Sequence, residues 1–297
     1  MSISKDGYIK KVSLDVRQVG QVGNINGQYM TMSIRNTDSM IIFDSTGKAS
    51  KIPVSSIPNM NLEDNGILLE RYFQVHGNIV SALIEPTKSD LKKYGKEMFL
   101  TFLTKQGFVK RTNITEFSHI NGSTQAIKLP NGDELVAAEF TVHETSKDMV
   151  IYTNLGNGIR RDINEFSIMK ANARGVRQIT MSDDEYCIGF DKINPSKKYM
   201  FFITSAGRAK ITETKYFPAM KRKDDVLSLI NLEKNEQLVG IKSVCKTDKV
   251  LVYKKNSQPE VIELKDLPVS TRVAKADKII KTPKGDSVLS YTVVTNN

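Results

Sequence analysis

Phe102-Leu-Thr-Lys-Gln-Gly107-Phe-Val-Lys110-Arg111-Thr-Asn-Ile-Thr-Glu116-Phe117 decides the fold. An apolar run ends in a polar turn closed by glycine, a second short run carries a basic pair, and a Glu-Phe step leads out. This predicts a β-hairpin, because glycine supplies the positive φ that a tight turn needs. The frame returns without a gap as Tyr152-Thr-Asn-Leu-Gly156-Asn-Gly-Ile-Arg160-Arg161-Asp-Ile-Asn-Glu165-Phe166. It recurs as Ile203-Thr204-Ser-Ala-Gly207-Arg208-Ala-Lys210, leading to Tyr216-Phe217, and as Val252-Tyr253-Lys254-Lys255-Asn-Ser257, leading to Asp266-Leu267 with serine at the turn. Toward the start, Ile42-Phe43-Asp-Ser-Thr-Gly47-Lys48-Ala-Ser-Lys51 and Ser4-Lys-Asp-Gly7-Tyr-Ile-Lys10-Lys11 complete six copies.

Each copy has a weaker second half. Ala126-Ile-Lys-Leu-Pro-Asn131-Gly132-Asp133-Glu134-Leu-Val reads as strand, Asn-Gly turn and strand, since Asn-Gly accepts a type I′ turn. Val226 to Ile230 followed by Leu238 to Ile241 repeats the outline. Four short antiparallel strands at a period of about 50 residues, six times over, predict an all-β protein of radially stacked blades, because one blade alone cannot bury both its faces. The expected repeats are 1–28, 29–96, 97–147, 148–197, 198–247 and 248–297, filling the chain as a single domain. The β-branched and aromatic run Val288-Leu-Ser-Tyr291-Thr-Val-Val294 is expected to close onto the first blade. Two β-sandwiches with chance similarity between hairpins are the competing reading.

The 297 residues include 43 Lys+Arg against 33 Asp+Glu, a formal charge of +10 that argues for an acidic partner such as nucleic acid or an anionic surface. At 39% hydrophobic and 26% charged, the chain is neither disordered nor membrane-spanning. Lys5, Asp6, Lys10 and Lys11 interrupt any apolar leader near the start, so a cytoplasmic protein is expected. Cys187, Cys245, His76, His119 and His143 form none of the short paired spacings of a zinc site. Thr46-Gly47-Lys48 sounds like a nucleotide loop, but the leading glycine is missing and Gly47 is the repeat turn. Asp183-Asp184-Glu185 and Asp224-Asp225 read as solvated turn acids rather than magnesium ligands, and no Gly-x-Ser-x-Gly elbow is present.

The frame Thr-x-x-Gly-x-Val-Lys-Arg with its Glu-Phe exit, Ala173-Arg174-Gly175-Val176, and Glu236-Gln-Leu-Val-Gly240 resemble the carboxy-terminal domain of the A subunit of bacterial type IIA topoisomerases, gyrase and topoisomerase IV. The resemblance covers essentially the whole chain. It implies a six-bladed β-pinwheel, a propeller-like disc of hairpin-exchanged blades whose basic rim bends double-stranded DNA and presents it to a cleavage core. It further implies that this domain is non-catalytic and needs no cofactor, ATP and magnesium belonging to the complete enzyme. The implied partners are duplex DNA, the remainder of the topoisomerase polypeptide and the ATPase B subunit, at the nucleoid and not at a membrane.

Where gyrase carries a cationic glycine-rich box, this chain has Val16-Arg17-Gln18-Val19-Gly20-Gln-Val22-Gly23-Asn24-Ile-Asn-Gly27, which keeps glycines and one arginine. The departure favours the topoisomerase IV type, which relaxes and decatenates, over a gyrase that wraps DNA. A divergent gyrase domain, or a propeller scaffold that binds proteins, is the alternative; the absence of Trp and of Gly-Gly speaks against the scaffold.

Repetition around a disc should set the basic pairs along one outer edge, where they would grip phosphates without reading bases. The expected DNA contacts are Lys10, Lys11, Lys48, Lys51, Lys110, Arg111, Arg160, Arg161, Arg208 and Lys210, extended by Arg174, Arg177, Lys221, Arg222 and Lys223. The sixth copy, with Glu260 and Glu263 after Lys254 and Lys255, should contribute least.

Overall fold

A computed structural model describes residues 1–13, 28–61, 63–120, 122–142, 147–221 and 224–294. The stretch compared with the gyrase box, His143, Arg222 and Lys223 lie outside these residues. Six hairpins organise the chain: Ser2–Ser4 with Tyr8–Lys10, Ser39–Asp44 with Lys48–Pro53, Met98–Thr104 with Phe108–Asn113, Asp148–Thr153 with Asn157–Asp162, Tyr199–Thr204 with Arg208–Glu213, and Lys249–Lys254 with Glu260–Glu263. The protein is all-β, with six blades in a propeller-like ring.

The recurring threonine of the frame is a turn device. Thr104 Oγ1 accepts the Phe108 N–H at 3.1 Å, Thr153 Oγ1 that of Asn157 at 3.2 Å, and Thr204 Oγ1 that of Arg208 at 3.2 Å. Ser4 does the same for Tyr8 at 3.0 Å. Gly107 has φ +81°, and a Cβ there would lie 2.6 Å from Ile179, so the glycine serves both the turn and the chain that crosses it. The Glu-Phe exit is a turn of 3₁₀ helix, Ile114–Phe117 in the third copy, that drives its phenylalanine into the seam between blades. Phe117 lies 6.3 Å from Phe43 of the second blade and 6.1 Å from Phe102 of the third.

Each hairpin gains an inner strand from its own repeat: Gln28–Thr31, which carries the first repeat past its expected end at 28, then Ile79–Ile84, Leu135–Val142, Cys187–Lys192, Leu238–Val244 and Val288–Val294. The outermost strand comes from the following repeat. Ile67–Leu68 pairs with the first blade, Ser123–Gln125 with the second, Val176–Arg177 with the third, Leu227–Ser228 with the fourth and Asp277–Lys278 with the fifth. Among the described residues the sixth sheet has three strands.

This exchange corrects two expectations. The strands flanking Asn131-Gly132 do not form a hairpin: Ser123–Gln125 joins the second blade and Leu135–Val142 the third. Val288–Val294 pairs with Lys249–Lys254 of its own blade, as every inner strand does, and only packs against the first blade, where the hydroxyls of Thr31 and Tyr253 lie 3.3 Å apart. Polar clasps tie neighbouring inner strands: Ser81 Oγ donates to the Ala138 carbonyl at 2.6 Å, Lys192 pairs with Glu139 at 2.9 Å, Lys242 with Asp191 at 2.5 Å, and Tyr291 OH donates to the Ile241 carbonyl at 2.8 Å.

A capped helix, Lys88–Tyr94, in the link between the second and third blades was not anticipated. Among the described residues no helix is long and apolar enough to cross a membrane.

Candidate nucleic-acid interface

The basic residues of the second hairpin strand do not form a rim. Lys10, Lys110 and Lys210 occupy one place, the third after the turn glycine, and are buried. A buried ammonium must find hydrogen-bond acceptors, and each finds them in the next repeat. Lys10 Nζ donates to the Asp64 carbonyl at 2.9 Å, and Lys110 Nζ to that of Lys170 at 2.8 Å and to that of Ala171. Lys210 Nζ donates to the carbonyls of Thr271, Arg272 and Ala274 at 3.0, 2.5 and 3.0 Å. Phe102 and Phe202 face the Lys110 and Lys210 ammonium groups at 5.4 and 5.2 Å from the ring centres.

Burial pushes Lys110 down from 10.5 to about 7 and Lys210 to about 8. Between the folded and unfolded values the unfolded chain holds a proton that the folded chain has released, so stability rises with pH across that window. The wild-type protein is expected to gain resistance to denaturant from pH 7 to pH 9, and Lys110→Met to gain less. An equal gain in both would discard Lys110 as the source.

At the next place, Lys11 Nζ donates to Asn36 Oδ1 at 2.9 Å and the Val54 carbonyl at 3.0 Å, and Lys51 pairs with Glu85 at 2.6 Å. Arg111, buried 4.3 Å from the Phe99 ring centre, donates to the Ile163 carbonyl at 3.3 Å and Asn164 Oδ1 at 3.2 Å. Arg160 holds Asp148 at 2.8 Å and the Phe217 carbonyl at 2.7 Å. Arg161 is buried with Glu165 at 3.8 Å, and Arg208 is bound by Glu233 at 2.9 Å. The pairs are therefore fasteners within and between blades. Adjacent residues of a strand point to opposite faces, so a consecutive basic pair cannot line one edge.

Of the expected contacts, Arg174, Arg177 and Lys221 are exposed and Lys48 is half-buried. Arg174 and Arg177 sit on the arm, residues 167–178, that crosses from the fourth blade to the outer edge of the third. Their guanidinium carbons lie 4.9 and 5.0 Å from the Phe108 ring centre. The same arm carries exposed Lys170, which the sequence reading passed over, as it did Arg272, Lys275 and Lys278 on the arm that reaches the fifth blade. Lys275, Lys278 and the following Lys281 are exposed; Arg272 is half-buried and donates to the Ser228 carbonyl. Their common signal is position, in or beside the turn before an exchanged strand or, for Lys278, in that strand itself. The arms on the first two blades differ: residues 57–68 hold Glu63 and Asp64 and no cation, and 118–125 hold neither lysine nor arginine. Among the exchanged arms, exposed lysines and arginines are thus carried by those covering the third to fifth blades.

Residues 99–141, 147–194 and 198–245 match the family model of the DNA gyrase C-terminal domain, beta-propeller. The DNA gyrase A subunit of Kosmotoga olearia is 27% identical over 312 residues, covering 100% of this chain and 38% of that protein. The DNA topoisomerase 4 A subunit of Bacillus subtilis is 24% identical over 261 residues, covering 82% of this chain and 30% of that protein. The chain therefore spans about a third of the length of these relatives. The crystal structure of the C-terminal domain of DNA topoisomerase IV has the same fold, with a TM-score of 0.79 at 19% identity over 99% of this chain and 92% of that one. Three successive repeats answering to the gyrase propeller, sequence similarity to the A subunits along the whole chain and the shared fold make this chain similar to the carboxy-terminal domains of type IIA topoisomerase A subunits.

Proposed function

We propose that the domain binds and bends duplex DNA along the arms of its third to fifth blades, and hands it to the cleavage core of a longer A subunit working with an ATPase B subunit. The supporting observation is that, among the exchanged arms, those of the third to fifth blades carry exposed Lys170, Arg174, Arg177, Lys221, Lys275 and Lys278, whereas the arm on the first blade holds two acids and no cation. Charge so arranged suits phosphates along a curved path and lacks the groove-shaped side-chain set that base reading uses. Bending 20–30 base pairs costs on the order of 1–6 kcal/mol, so contacts must extend over several blades. Within this reading the domain carries no catalytic group of its own, acts in the cytoplasm on nucleoid DNA, and serves a topoisomerase IV type of enzyme, the glycine-rich stretch at 16–27 having one cation.

A mobility-shift titration over a salt series tests the binding. If six to ten phosphates are engaged, affinity falls by roughly 10³ to 10⁵ between 50 and 200 mM salt. Absent or salt-indifferent binding would reject DNA as the ligand and favour a protein-binding wheel. Ligation of nicked circles on the domain then tests the type: a chiral wrap would assign it to gyrase.

A further inference from the structure

We propose that Lys110 and Lys210 are positioning residues for DNA binding: each is a buried lysine whose amino group fastens the carbonyls of an exchanged arm and so sets where that arm's exposed cations stand. The inference rests on the DNA-binding reading above. In the fourth repeat the arm is anchored at one end by Met169 N–H to the Arg111 carbonyl at 2.8 Å and at the other by Gln178 N–H to the Gly107 carbonyl at 2.9 Å. Between these anchors Lys110 takes the carbonyls of Lys170 and Ala171, three residues ahead of Arg174. In the sixth repeat the anchors are Ser270 N–H to the Ile211 carbonyl at 3.0 Å and Ile279 N–H to that of Gly207 at 3.1 Å. Lys210 gathers the carbonyls of Thr271, Arg272 and Ala274 between them, inside the turn that carries Arg272 and Lys275.

The hairpin itself does not require a cation at this place. The remaining three blades put Ser50, Ile159 and Glu260 there, in the same register of the second strand. Lys10 supplies an internal contrast. It fastens the Asp64 carbonyl of an arm that has Glu63 and Asp64 and no cation. Fastening and DNA binding are thus separable within one chain, since the same bond is made to arms with and without positive charge.

The experiment measures duplex affinity by fluorescence anisotropy, at several salt concentrations, for wild type, Lys110→Met, Lys210→Met and Lys10→Met, with a melting curve for each. Lys110→Met is expected to weaken binding about tenfold or more and to lower the salt slope by roughly two, the share of Arg174 and Arg177, where loss of one directly contacting lysine would lower it by about one. In a double-mutant cycle, Arg174→Ala with Arg177→Ala should cost little more once Lys110 is replaced. Lys10→Met should lower the melting temperature and leave affinity and slope at the wild-type values. Should Lys110→Met fail to fold, Lys210→Met read against Lys275→Ala and Lys278→Ala gives the same comparison in the sixth arm. Unchanged affinity in Lys110→Met, full additivity in the cycle, or an equal loss in Lys10→Met overturns the positioning role. A wild-type domain without salt-dependent binding instead defeats the DNA-binding reading itself.

Discussion

Reversing Arg174, Arg177, Lys275 and Lys278 to glutamate is expected to lower duplex affinity by on the order of 10³-fold or more at 0.1 M salt. Each phosphate neutralised on duplex DNA contributes about 0.9 to the slope of log affinity against log salt, so removing four contacts takes roughly four powers of salt dependence with it. These side chains are exposed at the ends of long stems, and exposed substitutions commonly move stability by about 0.5 kcal/mol or less. The melting curve of the variant should therefore stay close to that of wild type, with small losses from the stacking of the two arginines on Phe108 and from the bonds that Lys278 Nζ donates to the Ala206 carbonyl and Thr282 Oγ1. Reversal of Glu63 and Asp64 to lysine on the acidic arm is the matching gain test. A fourfold-reversed protein that binds as wild type would remove the arms of the third to fifth blades from the DNA path.

Phe117→Ala carries the largest expected loss of stability. The ring is 1% exposed and fills the seam between the second and third blades, in contact with Phe43 and Phe102. Truncating a fully buried phenylalanine typically costs about 3–5 kcal/mol, the lost transfer energy adding to that of a cavity that rigid sheets on both sides cannot close. For a domain of this size that corresponds to a fall in melting temperature of roughly 5–8 °C. Calorimetry provides the check, and a fall of about 2 °C or less would show that the seam repacks. Because the ring belongs to two blades, the loss should be felt as a cooperative weakening of both rather than as fraying of one hairpin.

The parts of this structure that are legible in the sequence are those whose causes are local. Gly107, Thr104 and Phe117 announce a turn, its hydrogen-bonded closure and an inward anchor within sixteen residues, and six repetitions of that frame imply a wheel. Where the basic residues end up has a non-local cause. In an ordinary two-layer sheet a lysine amid apolar neighbours faces water; here the outer edge of each of the first five hairpins is covered by an arm arriving from about 60 residues later, and Lys110 meets carbonyls at Lys170 and Ala171 instead of solvent. Reversing Lys110-Arg111 or Arg160-Arg161 to glutamate is therefore expected to destabilise the fold severely, since an acid at Lys110 or Arg111 would face carbonyl oxygens. The arms are legible only as turns. Their exchange between blades, and with it the importance of Arg272, Lys275 and Lys278, depends on pairing across repeats that a periodic sequence expresses equally well within one repeat.

The outermost strand of every wheel segment up to the fifth is lent by its successor, so no cut through the polypeptide releases an intact segment. A chain stopped after residue 247 would lack Asp277–Lys278 and leave Arg208 and Ala209 with unpaired backbone, an adhesive margin of the kind that seeds aggregation. Shortened or lengthened versions must be spliced inside the arms, at matching points such as Gly175 and Ala276, so that each newcomer both borrows and lends. Evolution by tandem duplication meets the same condition, and a copy inserted whole satisfies it automatically, since its arm covers the segment before it while its own margin is covered by the segment after.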